Sequence, residues 1–157
     1  MNDSIDDNTR ILLEAYRLSE ERLKAQTSSA LAADSRAMAF AGLLVAASAI
    51  LAGLSTSSPN TDGMLWGAAI LIIAAIFSGL AARPIDFYMA GAKAGDVYID
   101  ASQSDFLEEI KQLSGFNDKH IVENYRKMKH NNDLFRISFV CALLGVAWPI
   151  LVQLCTP

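Results

Sequence analysis

Charge is missing from three windows of this sequence. Residues 37–54, 63–82 and 137–154 hold no Asp, Glu, Lys, Arg or His across 18, 20 and 18 positions. A run of about 20 apolar residues matches the ~30 Å hydrocarbon core of a bilayer. Proline and glycine are also scarce, with four and nine copies in 157 residues. Neither interrupts the chain before Gly42, which leaves nothing to stop a long helix there. The two cysteines, Cys141 and Cys155, stand fourteen apart on one expected helix. That is about 21 Å of rise, which excludes a bond between them. No GxGxxG, P-loop, HExxH, CxxC or GxSxG occurs, so no enzymatic activity, cofactor or metal is expected. His120 and His130 are ten residues apart and read as surface histidines rather than ligands. Asp105, Glu108 and Glu109 read as a solvated helix face rather than an acid–base pair. The net charge of −4 speaks against a nucleic-acid polymer as partner.

What is present is apolar and unevenly placed. The chain is 52 % apolar with a mean hydropathy of +0.27, against about 45–50 % apolar for soluble domains. Three uncharged runs in so short a chain leave too little polar surface to cover them in a soluble bundle. The expected fold is all-α: an integral membrane protein with three transmembrane helices, two of them extended by long cytoplasmic helices. The expected organisation is a cytoplasmic N-terminal helix (1–36) and a transmembrane hairpin (37–83, spans 37–54 and 63–82). A cytoplasmic helical segment (84–136) follows, then a third span with an external tail (137–157). An acidic start and a first apolar run only at residue 37 argue against a cleavable signal peptide.

Charge orients the chain. All thirteen Lys and Arg lie before residue 37 or between Arg83 and Arg136. Cytoplasmic loops carry the Lys/Arg excess. The N-terminus and the segment 84–136 are therefore expected in the cytoplasm, with the C-terminus outside. Trp66 and Trp148 near the outer ends of spans two and three agree with an interfacial belt.

Asn8 or Thr9 can cap a helix beginning near Arg10. Its stripe is Leu13, Tyr16, Glu20, Leu23, Thr27 and Ala30, widened by Leu12 and Leu31. Residues 85–103, with Gly91 and Gly95, read as irregular. Ser104 or Asp105 can cap a short helix over 106–113 that Gly115 ends. Asn117 or Asp118 then caps a second long helix. On it Ile121, Tyr125, Met128, Asn132, Phe135 and Phe139 make a heptad seam. The two cytoplasmic helices are expected to pair, within one chain or between chains.

Within the spans, Ala49 with Gly53 and Ala75 with Gly79 form small-xxx-small pairs, and Gly145 adds a small position to span three. Such residues let helix backbones approach. With no intramembrane charge, a proton-coupled pump is not expected. The basic group Arg126, Lys127, Lys129 and Arg136 reads as a topology signal and as contacts for lipid or ligand phosphates.

Three short motifs carry a resemblance. They are Asp34-Ser35-Arg36-Ala37 entering span one, Ala82-Arg83-Pro84 leaving span two, and Tyr125-Arg126-Lys127-Met128-Lys129 through Phe135-Arg136 before span three. In this plan the chain resembles the small membrane effectors of bacterial anti-phage systems, the SLATT group and the Pycsar transmembrane effectors. The resemblance implies a homo-oligomer that impairs the inner membrane when a signal nucleotide or cytosolic protein arrives. The other expectation is a membrane anchor or scaffold that presents its helices to a soluble partner.

Overall fold

The structure is a computed structural model that describes residues 2–57, 61–91 and 106–155. They form three helices, α1 (Asn2–Ser55), α2 (Thr61–Ala81) and α3 (Phe106–Cys155), with no strand among the described residues. Each helix is long and apolar enough to cross a membrane. The chain divides into two compact units. The first comprises Met1–Ala30 and Ile85–Lys127, the second Leu31–Pro84 and Met128–Pro157.

Two helix boundaries differ from expectation. α1 starts at Asn2 rather than near Arg10, because no Gly or Pro precedes Gly42 to break it. α3 runs unbroken from Phe106 to Cys155, so the expected short helix and the long one are a single helix. Gly115 does not end it. A mid-helix glycine costs only about 1 kcal/mol relative to alanine, and a fifty-residue helix with packed neighbours absorbs that. The expected Ser104 or Asp105 cap, Gly95 and Pro59 lie outside the described residues.

In the second unit α2 runs antiparallel to both partners. Leu44, Leu71, Ala74, Ala75 and Ala142 form its core, with Phe40, Ala47, Leu51 and Cys141 packed on them. Phe40 meets Phe135 edge-on, with ring centroids 5.5 Å apart, and Phe139 at 6.1 Å. Two serines tie the helices through main-chain oxygens. Ser78 donates to the Ala37 carbonyl at 2.7 Å, and Ser138 donates to the Ala74 carbonyl at 2.6 Å. A close approach is at Gly67 and Gly145, both buried. A Cβ at Gly67 would stand 2.8 Å from the Gly145 oxygen. Pro149 lacks an N–H, which frees that oxygen from its helical bond.

The outward faces are apolar. Only 17, 39 and 22 % of the most apolar windows of the three helices are buried, and Leu43, Ile50, Ile73, Ile76, Leu144 and Ile150 stand exposed. A soluble bundle turns such residues inward. Apolar helices whose large side chains face outward suit a lipid solvent.

In the first unit α1 and α3 run parallel. Leu23, Ala30, Ile110 and Ile121 are its buried apolar residues. Asn117 Nδ2 donates to Ser19 Oγ at 2.9 Å, and Gln26 Nε2 donates to the Ile121 carbonyl at 3.1 Å. These hydrogen bonds join α1 and α3 of the same chain.

Candidate functional site

The inward row of α3 decides what this helix can do. It steps by three and four through Ile121, Asn124, Met128, Asn131, Phe135, Ser138, Ala142, Gly145 and Pro149, each buried or half-buried. The expected seam shares Ile121, Met128 and Phe135 with this row. Tyr125, Asn132 and Phe139 are exposed instead. The inward positions between the shared ones are Asn124, Asn131 and Ser138, one residue earlier in each case. Choosing seam residues for apolarity picked the neighbouring row. The signal for the observed row was visible: Asn117, Asn124, Asn131, Ser138 and Gly145 recur every seven residues.

These amides do separate jobs. Asn117 reaches Ser19 across the first unit. Asn124, fully buried, grips the extended segment 85–91. Its Oδ1 accepts from the Tyr88 N–H and its Nδ2 donates to the Tyr88 carbonyl, both at 3.0 Å. An asparagine side chain here replaces the neighbouring strand that an extended backbone otherwise needs. Lys127, one turn on, donates to the Asp86 carbonyl, and its ammonium lies 4.9 Å from the Tyr88 ring centroid. His120 stacks flat on that ring at 4.1 Å. A hydrogen bond donated to the Glu123 carboxylate holds the Tyr88 hydroxyl above its usual pKa. Asn131 is nine-tenths buried and its Oδ1 has no protein donor, as is also true of Gln26 Oε1.

The four basic residues part company. Lys127 is committed to the clamp on residues 86–88. Arg136 pairs loosely with Asp133 at 3.9 Å. Arg126 and Lys129 are exposed. Of the set, Arg126, Lys129 and Arg136 are exposed, and Lys127 is half-buried. The small residues divide in the same way. Ala75 and Gly145 are buried in the second unit, whereas Ala49 and Gly53 are exposed. A Cβ built at Gly53 or Gly79 meets nothing within 4 Å. Gly67, which takes the close contact with Gly145, was not among the expected packing residues.

Charge on α1 is arranged locally. Arg17 bridges Glu14 and Glu21 on an exposed face. Its hydrogen bond lowers the Glu14 pKa, and Glu14 in turn raises that of Arg17. Burial, with a hydrogen bond to Glu20, pushes the Tyr16 hydroxyl up to about 12. Burial alone raises Asp34. Among the described residues no group of three or more His, Cys, Asp or Glu side chains gathers as a metal site. The arrangement offers a polar clamp, exposed cations and closely packed apolar helices. No protein-family model matches the chain, and no curated protein or solved structure matches it either.

Proposed function

We propose that this chain is a self-assembling effector of a bacterial inner membrane, of the defence kind it resembles. Its N-terminus and residues 84–136 lie in the cytoplasm and its C-terminus outside. Copies associate through the outward face of α1, and a cytosolic signal sets off membrane damage. The observation that supports this reading is a row of small residues on α1. Ala39, Gly42, Ala46, Ala49 and Gly53 step by three and four and all are exposed. A Cβ at Gly42 or Gly53 meets nothing within 4 Å. Inside the chain, small residues sit where backbones touch, as at Gly67 and Gly145. The α1 row offers the same chemistry to a second copy. Positive charge confined to two segments supports the orientation, and the exposed Arg126, Lys129 and Arg136 suit a phosphate-bearing signal or lipid.

The test is controlled expression in bacteria while membrane potential and growth are followed. The expected result is depolarisation that Gly42→Leu with Gly53→Leu abolishes. Neither change meets a neighbour within the chain, so the protomer should fold and insert as before. Depolarisation that survives both changes would sink assembly through this face. Reporter fusions after Asn60 and Thr156 should report outside, and one after Gly115 inside.

A second reading has its own observation. Ile11, Leu18, Phe116 and Tyr125 of the first unit are 65, 52, 55 and 61 % exposed, and none lies in an uncharged run. Exposed apolar side chains outside a bilayer suit a protein partner, which is the scaffold reading. A harmless protein that co-purifies with one soluble partner in stoichiometric amount would favour it.

A further inference from the structure

Within the first unit, four side chains of α3 converge on one tyrosine. His120, Glu123, Asn124 and Lys127 follow one another at spacings of three, one and three, which puts them on one face of the helix. Asn124 reads the main chain, accepting from the Tyr88 N–H and donating to the Tyr88 carbonyl, both at 3.0 Å. One side-chain amide meets both groups only where they point the same way. That is the extended conformation of a hydrogen-bonded antiparallel pair. His120 reads the ring, stacked on it with planes 1° from parallel. Lys127 adds its cation to the same ring and holds the Asp86 carbonyl. Glu123 accepts from the hydroxyl. Main chain, ring and hydroxyl are each met by a different group.

Tyr88 is held as a ligand is held, not as core. Asn124 is 0 % exposed, whereas Tyr88 and Met89 stay 41 and 75 % exposed. Little apolar area is buried at these two residues, so directional contacts do the holding: two hydrogen bonds, a ring stack and a cation on the ring. Such contacts are exchangeable. When the segment departs, water satisfies the Asn124 amide, and the polar face left behind carries no cavity cost. None of them depends on the sequence around Tyr88. They need an extended main chain with a tyrosine on it.

We propose that the His120–Asn124–Lys127 face of α3 is a binding site for an extended peptide segment bearing a tyrosine. Residues 86–88 fill it in cis, and a tyrosine-bearing segment of a protein partner binds by displacing them. The cis segment is tethered and so present at high effective concentration. A partner therefore needs contacts beyond its tyrosine to win the site. The site stands whether or not copies assemble through α1.

The test vacates the site without touching α3. Tyr88→Pro removes both the N–H that Asn124 accepts and the ring that His120 covers. The probe is a blocked peptide of residues 85–90, followed by saturation-transfer NMR at millimolar peptide against the full chain in lipid nanodiscs. Tyr88→Pro is expected to give saturable binding, with transfer strongest to the tyrosine ring protons. The parent protein is expected to bind the peptide about tenfold or more weakly, because its own segment competes. Adding Asn124→Leu to Tyr88→Pro should weaken binding about tenfold or more, because the amide that reads the main chain is gone. A peptide with alanine in place of its tyrosine should lose as much. The site is overturned if Tyr88→Pro shows no saturable binding, if the parent binds equally well, or if binding survives Asn124→Leu or the loss of the peptide's tyrosine. Should Tyr88→Pro lose helical circular dichroism, Tyr88→Ala decides instead. It keeps the N–H, and it must bind the peptide at least about threefold more tightly than the parent, or the proposal falls.

Discussion

In the second unit, helices meet where side chains are smallest. Gly67 and Gly145 lie backbone to backbone, the core is largely alanine and leucine, and single serines donate to main-chain oxygens. In the first unit, amides make hydrogen bonds between elements: Asn117 to Ser19, Gln26 to Ile121, Asn124 to Tyr88. The difference follows the expected solvent. Lipid tails are as apolar as leucine, so nothing drives large apolar side chains inward, and close backbone approach decides packing. In the first unit, the extended segment 85–91 has backbone groups that must be satisfied, and Asn124 satisfies those of Tyr88.

The contrast breaks most readily at its tightest point. Gly145→Leu should destabilise the protein by about 3 kcal/mol or more, because overpacking at a fixed backbone contact forces the helices apart. A Cβ at Gly145 already meets the Leu71 side chain at 2.9 Å and the Gly67 oxygen at 3.1 Å. Gly53→Leu, with no neighbour, should shift the thermal midpoint of the protomer little. Equal effects of the two in nanodisc melting curves would erase the distinction between inward and outward small residues.

Leu23→Ala comes next. Leu23 is fully buried in the first unit, and its truncation should cost about 2–4 kcal/mol in denaturant unfolding. A cost below about 1 kcal/mol would mean that amides alone hold this unit. Ser138→Ala should cost less, about 0.6–1.7 kcal/mol, the span of interhelical hydrogen bonds in membranes. A larger loss would show the second unit to be as dependent on polar contacts as the first.

The smallest effect is electrostatic. Burial raises the Asp34 pKa in the folded state, so folding disfavours its charged form. The folded state then binds more protons than the unfolded state in the window just above the ordinary carboxylate pKa. Stability should fall as pH rises through that window. Asp34→Asn should raise the melting temperature slightly at pH 7 and lose that advantage near pH 3. An advantage independent of pH would assign the gain to packing.

Much of the fold was legible because its cause is local. Uncharged length marks a helix able to cross a membrane whatever surrounds it, and the lack of breakers before Gly42 marks α1 as one helix. The ends at Asn2 and through Gly115 were less legible. A capping residue or a single glycine shifts the balance by only about 1 kcal/mol, which tertiary packing outweighs. The inward row of α3 was half legible. Ile121, Met128 and Phe135 stand out as apolar. Asn124, Asn131 and Ser138 reveal themselves only through their period of seven.

By itself the sequence determined three helices of membrane-crossing length, the two segments that hold all the positive charge, and the absence of familiar catalytic motifs. Those properties depend on residues close together in the chain. Tertiary structure decided which row of each helix faces inward, that Lys127 grips a backbone carbonyl rather than standing free, and that Gly67 rather than Gly53 makes a close contact within the chain. An Ala-rich helix offers several small faces of nearly equal merit, and the hydrophobic effect that ranks faces in water is missing in lipid. Only contact with another helix chooses among them.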